Sequence, residues 1–256
     1  ARAAIAGLEG PRLPHLGLIG KDPLAIDVHF YNMFYAYPQR GRVMGVLSAI
    51  DIALWDIKGK VANRPVYKML GGYTDRMPVY IAGGYYEEGK GLEELALETE
   101  ESLSMGVRAI KMKIGGAPIN EDVERVRVVR EAVGPDIKVM VDANNAYRHY
   151  QAIEFARKVE KFDLFWFEEP VPAHNVAGLR EVRDAVNIPI VTGEALYSKD
   201  EFRDICVERA VDILNPDICN VGGILEITQI ASMAEPFQIA VSPHGWNSVA
   251  VGAAAA

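Results

Sequence analysis

The chain has 256 residues, half of them hydrophobic, which is enough to bury the core of one large α/β domain plus a smaller piece. Its formal net charge of −8 excludes a general role on nucleic acid or on an anionic membrane, because both need a basic face. No run of about 18 apolar residues marks a transmembrane helix, and the opening ARAAIAGLEG lacks the basic-then-apolar order of a signal peptide.

Up to about residue 72, strand and helix do not alternate. Segment 43–61 sets Val46, Ile50, Ala53, Leu54, Ile57 and Val61 at helical spacing, with Ser48, Asp51 and Lys58 off that stripe. Asn63, Pro65 and Gly71-Gly72 stop the helical region, and an earlier helix is expected over 22–37. Residues 1–72 are read as a small helical domain and 73–256 as a second, larger one.

The second domain repeats one unit. Strands are expected at 77–82, 109–114, 138–144, 164–169, 188–194, 211–218 and 238–243. Each is short, rich in Val, Ile, Phe or Met, and reads as a buried parallel strand. Helices follow at 92–105, 121–133, 149–162, 177–186, 199–208 and 224–235, with a last one from about Ser248. Ser198 and Glu201 have the spacing of a capping box. Such an array is a (β/α)-barrel, a modified TIM barrel. It has seven strands where a closed barrel has eight, so the chain reads as clipped at its carboxyl end. Cys206 falls in a helix and Cys219 at a strand end, without metal-ligand spacing. Both are read as reduced and the compartment as cytoplasmic.

The polar residues recur where the apolar runs end. Lys111 and Lys113 lie two apart on one strand and so share a face. Two adjacent ammonium groups destabilise each other, which is expected to lower a lysine pKa and make a base usable near neutrality. Asp142, Glu168 and Glu194 end three consecutive strands at two intervals of 26 residues. An acid in this place is often only a helix cap. Three in succession after apolar runs point instead to a hard divalent cation, Mg2+ rather than Zn2+, because all the ligands are oxygen. Asn144 shares a face with Asp142, and Glu169 is either a supporting residue or a ligand in place of Glu168. Asp217 and His244 end the next two strands and suit an acid–base pair, the carboxylate fixing the imidazole tautomer. His174, just past Glu-Glu-Pro, is a candidate substrate contact. Trp246 is a candidate pocket wall or packing residue. His15, His29 and His149 are read as surface or packing residues.

In combination these motifs resemble the enolase superfamily, in its mandelate racemase-like branch. They are Lys111-Met112-Lys113, Val141-Asp142-Ala143-Asn144, Phe167-Glu168-Glu169-Pro170, Thr192-Gly193-Glu194, Pro216-Asp217 with Gly222-Gly223, and Pro243-His244. The stretch 49–70 is similar to the helix of that family's capping domain. The resemblance implies that Asp142, Glu168 and Glu194 hold Mg2+. It implies that Lys113 is a base on one face, with Lys111 either tuning it or touching the carboxylate, and that His244 with Asp217 is the acid–base group on the other. The family's amino-terminal strands, with a loop that helps define the substrate, are not matched. The expected reaction is abstraction of the α-proton of a sugar acid followed by loss of the β-hydroxyl as water. A two-base racemase or epimerase is the alternative, and a non-catalytic metal or acid-sugar binder is the third. The partner is a small carboxylate, and a homo-oligomer is expected.

Overall fold

The computed structural model describes residues 18–36 and 41–245. Trp246, His15 and the helix expected from Ser248 lie outside the described residues. The chain divides into two compact units, one of Pro78–Thr192 with Asp204–Leu214, the other of Ala1–Met77, Gly193–Arg203 and Asn215–Ala256.

In the first unit the strands β1 Ile81–Gly83, β2 Ala109–Lys113, β3 Lys138–Asp142, β4 Trp166–Glu168, β5 Ile190–Thr192 and β6 Ile213–Leu214 pair in sequence order, all parallel. Val139, Met140, Val141, Phe167, Ile190 and Val191 are all buried, so the central strands face apolar matter on both sides. Met140, Trp166 and Val191 form a core cluster with Tyr80, Ala109 and Ile213 packed on it. The register sets Lys113 opposite Asp142 and Asp142 opposite Glu168. The strands are shorter than expected because the backbone leaves extended geometry just past these polar residues. Asn144, Asn145 and Glu169 all take the left-handed conformation, at φ 42°, 66° and 44°.

The helices α4 Leu92–Ser104, α5 Ile119–Val133, α6 His149–Val159 and α7 Val176–Ala185 start and stop by local signals. Pro118 precedes α5, and Gly134 ends it at φ 73°. The Asn175 side chain accepts from Gly178 N at 3.1 Å and caps α7. The expected helix 149–162 breaks at Val159 into a 3-10 turn, Glu160–Phe162, closed by a left-handed Asp163.

The second unit holds α1 Ile26–Ala36, α2 Val43–Ala62, the one-turn α3 Val66–Met69, α9 Ile218–Val221, α10 Ile224–Ala234 and β7 Ala240–Val241. Helix α8 Lys199–Val207 crosses the boundary along the chain. Phe30, Met33, Phe34, Met44 and Leu47 form its core cluster, with Ile50, Tyr197 and Leu225 against it. The buried face of α2 is not the expected one. It runs Met44, Leu47, Ser48, Asp51, Leu54, Trp55 and Gly59, while Ile57 and Val61 are exposed. Ser48 and Asp51 are buried because they accept backbone N–H groups. Gly222 N donates to Ser48 Oγ at 2.9 Å and Leu225 N to Asp51 Oδ2 at 3.2 Å. The capping box at Ser198 does not form, since Glu201 reaches back to Tyr197 N at 2.9 Å and Ser198 Oγ makes no hydrogen bond. Cys219 lies in α9, not at a strand end.

Among the described residues seven strands alternate with helices, the (β/α)-barrel pattern of an α/β protein. None of the described helices is long and apolar enough to cross a membrane.

Candidate active site

The ends of β2, β3 and β4 bring four charged groups together within the first unit. Lys111 is 3% exposed, and Asp142 and Glu168 are fully buried. Lys111 Nζ lies 2.6 Å from Glu168 Oε1 and 3.1 Å from Asp142 Oδ2. Lys113 Nζ lies 2.6 Å from the same Asp142 oxygen and donates to Asn144 Oδ1 at 2.7 Å. The shared face predicted for the two lysines is therefore present. Trp166 Nε1 donates to Glu168 Oε2 at 3.2 Å, and Asn144 N to Asp142 Oδ1 at 2.9 Å. Lys111 Nζ also stands 5.4 Å over the Tyr80 ring.

For Lys111 the neighbouring carboxylates decide the electrostatics. Burial by itself pulls the Lys111 pKa down, but the Glu168 and Asp142 carboxylates outweigh it and hold the group above its ordinary value. Lys111 is a fixed cation, not a lysine lowered by its neighbour. Asp142 shows the complement. Burial pushes its carboxyl up, and Lys111 with Lys113 brings it below the usual range.

In the second unit Asp217 does two things at once. Its Oδ1 accepts from Cys219 N at 2.7 Å and caps α9, while Oδ2 stands 2.8 Å from His244 Nδ1. The cap and the pairing with His244 coexist on one side chain. His244 N donates to Pro216 O at 3.0 Å, which holds the two strand ends together. The other ring nitrogen, Nε2, lies 3.0 Å from Glu194 Oε2. Asn220 Nδ2 donates to the Glu194 carbonyl at 3.3 Å.

Glu169 is 1% exposed, and its Oε2 accepts from Asn145 Nδ2 at 2.7 Å. Asn145 Oδ1 in turn accepts from Ala173 N at 3.1 Å. His174 is exposed in the loop ahead of α7. His149 is half-buried beside Glu181, whereas His29 is buried with Nε2 at 2.7 Å from Asp22 O. Sequence reasoning missed Asn145, which looks like loop chemistry. It also missed Asp122, which looks like an ordinary acid in the first turn of α5.

Residues 94–256 match the family model described as Enolase C-terminal domain-like, and residues 15–71 match Mandelate racemase / muconate lactonizing enzyme, N-terminal domain. An arabinonate dehydratase of Saccharolobus solfataricus is 39% identical over 230 residues, covering 89% of this chain and 62% of the relative. The crystal structure of a 3,6-anhydro-D-galactonate cycloisomerase from Zobellia galactanivorans superposes with a TM-score of 0.89 at 37% identity, over 100% of this chain and 72% of that one. A racemase from Streptomyces coelicolor with bound magnesium has a TM-score of 0.89 at 30% identity, over 99% and 70%. The chain spans about three fifths of the length of the curated relatives it matches.

Proposed function

Because the chain belongs to the mandelate racemase / muconate lactonizing enzyme family, we propose that it serves a Mg2+-dependent enzyme that removes the α-proton of a sugar acid and expels the β-hydroxyl as water. The observation that carries the reading is the Lys111–Lys113–Asp142–Glu168 cluster, which places an amine beside buried carboxylates at adjacent strand ends.

The donor set fits the ion. Asp142 and Glu168 are acids without exposure, and burying such groups demands positive charge nearby. Glu194 follows β5 by two residues, and we assign it as the third oxygen donor. Oxygen-only ligands suit a hard cation. When bound, Mg2+ would supply Lewis-acid stabilisation for negative charge on the substrate carboxylate.

The chain's own residues do the rest. The C–H bond at the α-carbon breaks and its proton goes to the Lys113 amine. The electron pair ends as a bond between the α- and β-carbons while the β-carbon–oxygen bond breaks. His244 gives the departing hydroxyl a proton, so water leaves. The enol then takes up a proton on its β-carbon and loses the one on its hydroxyl, becoming a 2-keto-3-deoxy acid. Asp217 on Nδ1 fixes the imidazole so that Nε2 is the nitrogen that carries this proton.

A second reading shares the first step. The similarity to the cycloisomerase and the racemase favours isomerisation, with Lys113 and His244 as its two bases. Free Cys206 and Cys219 suit the cytoplasm, where we place the enzyme as a homo-oligomer.

The test is a panel of aldonic and aldaric acids incubated with the protein and Mg2+. A 2-keto product supports dehydration. Rearranged or inverted acid without keto product moves the assignment to isomerisation, and no turnover of any acid by metal-loaded protein removes it.

A further inference from the structure

Asp122 lies in the first turn of α5, is fully buried, and plays no part in the chemistry above. Its carboxylate collects three donors from three different loops. Tyr86, after β1, donates its phenol to Oδ1. Gly115, after β2, donates its backbone N–H to Oδ2 at 2.8 Å. Tyr147, after β3, donates its phenol to Oδ2 at 3.1 Å. Burial, with Asp122 beside them, raises the pKa of both phenols, so they stay protonated donors.

One helical turn on, Arg125 adds to the same arrangement. Its guanidinium lies 4.1 Å over the Tyr86 ring. It donates to Gly84 O at 2.6 Å and to Lys113 O at 3.5 Å. The fit also needs Gly115, at φ 87°, where a Cβ would stand 2.6 Å from the Ala146 methyl. The loop after β2, which begins directly beyond Lys113, is thus held on one side by the β1 loop and on the other by the β3 loop.

We propose that Asp122 is a positioning residue for Lys113: one buried carboxylate ties the loops after β1, β2 and β3 together and so fixes where the Lys113 amine stands. Side chains that place a reacting group matter because a shift of about 1 Å costs roughly 100-fold in rate. The inference rests on the reading of Lys113 as the base, and its test includes a readout that does not need turnover.

Tyr86→Phe, Tyr147→Phe, their double variant and Asp122→Asn are compared with the parent by thermal midpoint. Each is also acetylated at one pH, with Lys113 read by peptide mass spectrometry against exposed Lys60 as internal reference. The double variant is expected to raise Lys113 labelling several-fold while Lys60 is unchanged. On a sugar acid that the parent converts, it is expected to lower kcat about tenfold or more with little change in KM. Parent-like Lys113 labelling together with a lowered thermal midpoint makes Asp122 a structural group only and overturns the proposal. If the double variant does not fold, the two single variants decide by the same criterion. If the parent converts no sugar acid, the functional reading fails while the labelling still decides the positioning role.

Discussion

Lys113 and Asp142 are Cα partners across the β2–β3 ladder, and the Lys113 Nζ stands 2.6 Å from Asp142 Oδ2. Lys111 reaches the same oxygen at 3.1 Å. The proposed base and a proposed metal ligand are therefore in direct contact, and a cation on Asp142 competes with both lysines for one carboxylate. Binding the metal and freeing the amine become linked events.

That linkage predicts the behaviour of Lys111→Met. Removing one partner of a buried ion pair costs roughly 3–5 kcal/mol, because the charge left behind has no compensation. Here Glu168 and Asp142 would face each other with Lys113 alone. The thermal midpoint of Lys111→Met is expected to fall clearly in chelator and to recover in excess Mg2+, which replaces the missing positive charge. Equal destabilisation with and without Mg2+ would argue that the ion does not sit among these carboxylates.

Glu194→Gln tests the third ligand. Calorimetric titration is expected to show Mg2+ affinity reduced by more than about tenfold, with a thermal midpoint in chelator close to that of the parent. Unchanged affinity would remove Glu194 from the set.

Asp51 gives a pH prediction outside the active site. Its carboxyl is pushed up to about 7, first by burial, with Asp27 and Glu226 adding to it and the Leu225 and Ile224 amides opposing. A carboxyl raised in the folded state favours folding in its neutral form. Its contribution is complete below the unfolded value near 3.8, falls as pH rises to about 7, and is flat beyond. About three pKa units correspond to a loss of about 4 kcal/mol at most across that window. Denaturant melts from pH 4 to pH 8 are expected to show this slope in the parent and a flatter one in Asp51→Asn. Identical slopes would show that Asp51 is ionised at no cost.

The strand ends were legible because a parallel strand covered on both faces reads as a continuous apolar run, and the first polar residue after it marks the site. Asp142 and Glu168 follow that rule. The face of α2 was not legible. Ser48 and Asp51 look like solvent-facing residues, and what buries them is a pair of backbone amides 174 residues away in the chain. Asp122 was hidden in the same way. Its donors come from residues 36, 25 and 7 positions away, and no local pattern announces them. Periodicity reports which face is apolar, and it is silent about polar groups whose partners arrive from distant loops.

The measurement closest to the central claim is proton NMR of the sugar acids in D2O with parent and His244→Asn protein, with Mg2+ and with chelator. His244→Asn protein with Mg2+ is expected still to replace the α-hydrogen by deuterium through Lys113 while the 2-keto product disappears, and chelator is expected to stop both in the parent. Parent protein that forms keto product undiminished in chelator, or a Lys113→Met variant that exchanges and dehydrates at the parental rate, would contradict that claim.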